Sequence, residues 1–351
     1  MKQVSLLELL DGASLGMPAD QVPAFAADLR ARGAANVCVL DVVHPGGARL
    51  HWMDSAHARG WVQPGAASLP PPSAQRRQRF REVFDETSVR GFVGADALLL
   101  AAMAADTAPG ADPVLPRLSW SEVPRFAPVA PAPGARPLGL YALVESAERL
   151  RAVLASGVYT VQMRIKSPAR PDAAWRERLS AELAQGIALA REAGAEMFIN
   201  DYWALAHELG ASAVHLGQED LQALGEEGRA ALLASGLRLG ISSHSLWELC
   251  RARALAPRYI ACGPVWPTTT KDMPWVPQGL DNLAWWCRMA GAPVVAIGGI
   301  LQADQVRGTA AAGAAGVCIV RGLGQDPGQV LPGLLRLAQG SALVGVDPVD
   351  P

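Results

Sequence analysis

The chain is short of several things, and each shortage narrows what it can be. It has no excess of one charge: 31 Lys and Arg face 33 Asp and Glu, a net of −2, with no basic run and no acidic tail. Nucleic acid and an anionic membrane both call for a concentrated positive face, so neither is an expected partner. Cysteine is scarce. Cys38, Cys250, Cys262, Cys287 and Cys318 are odd in number and scattered, and no two stand at metal-ligand spacing. Buried free thiols in a reducing cytoplasm are the expectation. Long apolar runs are missing. The longest, Ala95–Ala105, carries Asp96 and is too short to span a bilayer. The first ten residues hold Glu8 inside their apolar stretch and offer no small-residue cleavage site, which makes a poor signal peptide. No Gly-x-Ser-x-Gly elbow accompanies the serines, which argues against a Ser–His–Asp hydrolase.

What is present is apolar and regular. Half of the 351 residues are hydrophobic and 18% are charged, enough for a large core. Pro131 to Pro137 reads as a stiff linker. It separates a weakly patterned region, 1–130, from a regular one, 138–340, with a tail at 341–351. In the regular region, candidate strands are Leu138–Leu143, Val158–Met163, Glu196–Ile199, Ala213–Leu216, Arg238–Ile241, Tyr259–Cys262, Val294–Ile297 and Gly316–Val320. Helical patterns rich in Ala, Leu and Arg lie between them, and several end at a glycine: Gly194, Gly210, Gly236, Gly291, Gly313. Alternating strands and helices predict an α/β fold with a parallel sheet, and eight strands close a (β/α)₈ TIM barrel. An open doubly wound sheet is the alternative. The N-terminal region is then a smaller module ahead of the barrel.

Active sites of such barrels lie at the C-terminal strand ends, and polar residues gather there in the sequence. Gln162, Arg164 and Lys166 share one parity, an expected anion clamp. Asn200 and Asp201 end the next strand, and His215 through Asp220 the one after. Asp201 and Asp220 are two hard carboxylates of the kind that hold Mg²⁺ beside a pyrophosphate. Asp220 is also placed to cap a helix. His215 reads as a strand-end histidine satisfied by neighbours, and Glu219 as a solvated neighbour. Ser242, Ser243 and Ser245 suit phosphate binding or capping. The loop Gly263-Pro-Val-Trp-Pro-Thr-Thr-Thr-Lys271 concentrates hydroxyls and one ammonium after a strand, a donor set for an oxyanion. Gly298-Gly299 and Val320-Arg321-Gly322 end the last two strands, where such barrels often bind a monophosphate. Two anion sites in one barrel suggest transfer between two phosphorylated small molecules.

These strings resemble those of the thiamine phosphate synthase family over about 138–337: Val161-Gln-Met-Arg-Ile-Lys166, Phe198-Ile-Asn-Asp201, Val214-His-Leu-Gly-Gln-Glu-Asp220, Leu239-Gly-Ile-Ser-Ser-His244, the 263–271 loop, Val294-Val-Ala-Ile-Gly-Gly-Ile300 and Gly316-Val-Cys-Ile-Val320. The resemblance implies a (β/α)₈ barrel. It implies that hydroxymethylpyrimidine diphosphate condenses with hydroxyethylthiazole phosphate to thiamine phosphate and pyrophosphate. It places Gln162, Arg164, Lys166, Asn200 and Lys271 on the pyrophosphate, Asp201 and Asp220 on Mg²⁺, and Ser242 on the pyrimidine-side ligand. Arg164, Lys166, Lys271 and Ser242 would be the catalytic set. Thr268, Thr270, Gly299, Val320 and Arg321 would hold the thiazole phosphate. Tyr202 departs from the arginine often found there, Trp266 from a smaller aromatic, and Arg321 from a serine that also occurs. The other readings are a non-catalytic barrel that senses a pathway intermediate, and a phosphate-binding isomerase or epimerase. Val93-Gly94-Ala95-Asp96 faintly resembles the end of ribokinase-like pyrimidine kinases. Residues 1–130 are too few for that whole fold, so a non-catalytic extension or kinase remnant is expected. A chain beginning near Pro133 should then fold and keep its activity.

Overall fold

Short, fully buried strands dominate the C-terminal part of the chain, and they close on themselves. The computed structural model describes residues 6–56, 58–66, 69–108, 110–128, 136–268 and 277–340. The chain divides into two compact units: Met1–Val129 with Ser245–Ala256, and Ala130–His244 with Pro257–Pro351.

The first unit is built on five strands: β1 (Leu7–Asp11), β2 (Asn36–Val43), β3 (Arg49–Ser55), β4 (Arg59–Gln63) and β5 (Arg117–Leu118). They lie in that order, β1 parallel to β2 and the rest antiparallel. The helix Val22–Ala31 packs on β2 and β3, and Val22, Ala26, Val37, Val39, Trp52 and Trp61 form one buried cluster. The helices Ala74–Val89 and Gly94–Asp106 pack on each other, burying Phe80, Phe84, Leu98 and Leu99. A charged network is also buried. The Asp41 N–H donates to His51 Nδ1 at 3.0 Å, so His51 Nε2 carries the proton that reaches Asp106 Oδ2 at 2.9 Å. Arg76 bonds both Asp41 and Asp106. Burial alone would raise the Asp106 carboxyl, but His51 and Arg76 outweigh it and hold it below the usual carboxylate value.

The second unit is a closed parallel barrel of β6 (Gly139–Val144), β7 (Thr160–Met163), β8 (Glu196–Asn200), β9 (Ala213–Leu216), β10 (Arg238–Ser243), β11 (Tyr259–Cys262), β12 (Val294–Ile297) and β13 (Gly316–Ile319). The eight strands match the eight apolar runs to within two residues at each end. Five of them, β7, β8, β9, β11 and β13, are buried at every position, which is why they read as continuous runs rather than alternations. The glycines expected to stop helices follow helix ends at Glu192, Glu208, Ala234, Met289 and Ala311.

Inside the barrel, rings from β6, β8 and β11 meet. Tyr141 and Tyr259 centroids are 5.7 Å apart, Phe198 and Tyr259 5.0 Å, both edge to face. Leu138, Ala213, Ala261, Val295 and Cys318 complete this cluster. One connection between barrel strands is unusual. The helix Leu246–Arg253, between β10 and β11 in sequence, belongs to the first unit.

Candidate active site

The polar side chains at the C-terminal ends of β7 to β10 are brought together by sheet register. Gln162 on β7 is buried, and its Nε2 donates to Asn200 Oδ1 on β8 at 2.9 Å. β7 ends at Met163, so strand parity orders Gln162 but not the residues after it. Two other contacts hold those. The Arg164 N–H donates to Val144 O at 2.7 Å, and the Tyr202 hydroxyl donates to Ile165 O at 2.9 Å. Arg164 and Lys166 therefore flank a pinned carbonyl, with Arg164 half-buried and Lys166 exposed. The Tyr202 ring itself rests edge-on against Trp175 at 6.1 Å.

Asp201 has a left-handed backbone, φ 69°, uncommon outside glycine. Its N–H donates to His215 O at 3.0 Å, tying the end of β8 to β9. Asp220 is the third residue of the helix Gln218–Ala223, and its Oδ2 accepts the N–H of the N-cap residue Gly217 at 3.0 Å. The helix thus starts earlier than the sequence suggested, and Asp220 supports its N-terminus from inside the first turn, not as the N-cap, with one carboxylate oxygen. Both aspartates are exposed.

His215 is buried on β9 between two hydroxyls: Tyr259 at 2.7 Å from Nδ1 and Ser242 at 2.8 Å from Nε2. Burial first, then the charge of Arg164 and of His244, push its pKa down to about 3. The ring is neutral at any working pH. Ser242, on β10, thus takes part in a side-chain chain, while its carbonyl accepts from Gln218 Nε2 at 3.2 Å. Ser243 Oγ accepts from the same amide at 3.1 Å, and Ser245 caps the following helix.

A second cluster forms where the loops after β11, β12 and β13 meet. The Val265 N–H donates to Ile297 O at 2.9 Å and the Trp266 N–H to Gly298 O at 3.1 Å. Gly299 has φ 72°, and a Cβ there would stand 2.6 Å from the Trp266 Cβ. Only glycine fits that crossing. Thr268 is half-buried, while Thr270 and Lys271 lie outside the described residues. Val320 precedes the short turn Arg321–Leu323. A Cβ on Gly322 would lie 3.1 Å from Ile300 O, so the loops after β12 and β13 touch.

Sequence reasoning did not find Tyr141, Tyr259 or Gly240, and set His215 aside. The available signal was register: Gly240 pairs with His215 on one side and Tyr259 on the other. Among the described residues no three His, Cys, Asp or Glu side chains gather around a common point. Asp201 and Asp220, the two carboxylates expected to hold a metal, are both exposed at strand-end loops and offer oxygen alone. Carboxylate oxygen is the donor chemistry that a hard divalent cation takes beside phosphate and water.

The thiamine monophosphate synthase family matches residues 141–323. The thiamine-phosphate synthase of Pectobacterium atrosepticum is 43% identical over 213 residues, 60% of this chain and 95% of that protein. That of Serratia proteamaculans is 46% identical over 193 residues, covering 54% and 85%. Among solved structures, a thiamine phosphate pyrophosphorylase from Pyrococcus furiosus aligns with a TM-score of 0.50 at 26% identity, over 58% of this chain and 97% of that one.

Proposed function

Because the chain belongs to the thiamine monophosphate synthase family, we propose that its barrel joins 4-amino-2-methyl-5-hydroxymethylpyrimidine diphosphate to hydroxyethylthiazole phosphate, giving thiamine phosphate and pyrophosphate. The observation that carries this reading is the gathering of the Gln162–Asn200 pair and Arg164 at adjacent strand ends, with Lys166 just beyond.

In the reaction the methylene carbon loses its bond to the diphosphate oxygen and gains one to the thiazole nitrogen. The aminopyrimidine ring spreads the positive charge left on the methylene. The developing charge on the departing diphosphate is where the protein acts. Arg164 offers a fork of donors, Lys166 and Lys271 compact charges, and Gln162 and Asn200 aligned amides. Asp201 and Asp220 would hold Mg²⁺, which when bound supplies further positive charge to a diphosphate. Ser242 contacts the pyrimidine-side ligand. Thr268, Thr270 and the backbone at Gly299, Val320 and Arg321 hold the thiazole phosphate. No proton need be removed from the attacking nitrogen, and the neutral His215 fits a site without a general base. The five cysteines form no disulfide, in keeping with a reducing cytoplasm. Residues 1–130 are read as a non-catalytic extension.

The test is to mix the two phosphorylated substrates with Mg²⁺ and the full chain. Thiamine phosphate and an equal amount of pyrophosphate should appear, and excess EDTA or Asp220→Ala should suppress both. Binding of both compounds without turnover would replace the synthase reading with that of a sensing barrel.

A further inference from the structure

A row of four hydrogen-bonding groups runs from the barrel interior to the site. Tyr141 Oη lies 2.8 Å from Tyr259 Oη, Tyr259 Oη 2.7 Å from His215 Nδ1, and His215 Nε2 2.8 Å from Ser242 Oγ. In such a row, fixing the proton at one end assigns every other. Tyr141 is the fixed end. It is fully buried, and among the described residues the oxygen of Tyr259 is its one side-chain hydrogen-bond partner. A buried hydroxyl proton aimed at nothing is costly, so Tyr141 donates to Tyr259. Tyr259 then sends its own proton to His215 Nδ1. The neutral ring carries its proton on Nε2 and donates it to Ser242 Oγ. The Ser242 proton is left to point elsewhere. The reverse order would have Ser242 donate to Nε2 and would end with the Tyr141 proton unpaired, and so would a charged imidazole.

Packing holds the row in place. Gly240 sits between His215 and Tyr259 in both ladders, and a Cβ there would come within 2.4 Å of Tyr259 Cζ. Without a side chain in between, the two rings stack with centroids 5.6 Å apart and planes 20° from parallel.

We infer that Tyr259 and His215 are positioning residues that fix Ser242 as a hydrogen-bond donor toward the bound pyrimidine diphosphate. That corner of the site then takes an acceptor, a ring nitrogen or a phosphate oxygen, and rejects a donor. The identity of the ligand rests on the synthase reading, whereas the direction of the row does not.

The direction can be read without substrate. In ¹⁵N-labelled full chain, the His215 imidazole, assigned by its loss in His215→Gln, should show the Nε2–H tautomer. Tyr259→Phe should move it toward Nδ1–H. An Nδ1–H ring in the unaltered protein overturns the inference. In the kinetic arm, Tyr259→Phe should lower kcat/KM for the pyrimidine diphosphate roughly tenfold, the worth of about one hydrogen bond. The KM for thiazole phosphate should not move. Added to Ser242→Ala, Tyr259→Phe should cost nothing more, since both act through one hydroxyl. Losses that multiply in the double variant mean a merely structural role and overturn the inference. Loss of inorganic pyrophosphate affinity in Ser242→Ala identifies the acceptor as a phosphate oxygen, and retention identifies the ring. An Nε2–H ring in a protein with no turnover defeats the synthase reading alone.

Discussion

Gly240 shows how much can hang on a missing side chain. A Cβ there would overlap the Tyr259 phenol at 2.4 Å from Cζ and 2.6 Å from the hydroxyl oxygen. The phenol is boxed in by Tyr141, Phe198 and His215, so it cannot swing away cheaply. Gly240→Ala should cost about 1–3 kcal/mol of stability, the usual toll of overpacking. A denaturant midpoint measures that, and an unchanged midpoint would mean the ring has room. Tyr202 acts at the same scale. Its hydroxyl pins the carbonyl between Arg164 and Lys166. Tyr202→Phe should therefore weaken the pyrimidine diphosphate by about 1 kcal/mol, near a factor of five. Titration calorimetry should show thiazole phosphate affinity unchanged. A loss confined to thiazole phosphate would misplace Tyr202. The family resemblance marked Tyr202 as a departure at the site, yet its use could not be read. The partner is a backbone carbonyl 37 residues earlier, which no spacing rule reaches.

Among elements, the helix Leu246–Arg253 is the informative one. Its start and end are satisfied by residues far back in the chain. The Trp247 N–H donates to Asp96 Oδ1 at 2.9 Å, Trp120 Nε1 donates to Arg251 O at 3.0 Å, and the Ala127 N–H donates to Ala254 O at 2.8 Å. Asp96, the residue that hinted at a kinase, here caps a helix. Burial raises its pKa to about 6, against the backbone donors, which lower it. The folded state thus holds this proton more tightly than the unfolded chain does. Its contribution is full below pH 4, falls as pH rises through 6, and is flat above. Asp96→Asn keeps an acceptor oxygen and removes the charge. Relative to the unaltered protein, the variant should gain stability between pH 4 and 7, seen as a rising difference in urea midpoint. A constant difference across that range would refute the assignment. The barrel strands were legible because their burial makes continuous apolar runs, and the glycines marked helix ends. β2 was not, although it is buried at seven of eight positions, because its run is broken by Asp41, whose Oδ2 pairs with Arg76. Buried paired charges erase the pattern that sequence reading depends on.

At the scale of the whole molecule, the division into units changes what truncation should do. From sequence, the boundary near Pro133 suggested a barrel that stands alone. The first unit includes Ser245–Ala256, however, so deleting residues 1–130 strips the helix Leu246–Arg253 of Asp96, Trp120 and the carbonyls that Arg253 bonds at Leu115 and Pro116. Leu246, Trp247, Leu249 and Cys250 lose that cover. The shortened chain should aggregate, and its soluble fraction should turn over more slowly per active site than the full chain. Monodisperse protein with full turnover would show that the barrel tolerates the loss. Site residues on strand ends, such as Gln162 and Asn200, were readable because both stand at the C-terminal ends of apolar runs, where such barrels keep their sites. The Tyr141–Tyr259–His215 row was not, since it crosses the barrel between strands that are far apart in sequence.

The interrupted first unit also bears on how the protein is made. Synthesis proceeds from the N-terminus, and a domain usually folds as soon as its last residue clears the ribosome. Here the last residues of the first unit are 245–256, and β6 to β10 are made before them. The first unit must wait, without its last helix, while five barrel strands emerge behind it. Nascent chains halted just before residue 245 should leave that unit open to protease, and chains released past residue 256 should close it. In this protein the second unit is begun, and five of its eight strands are made, before the first can be finished.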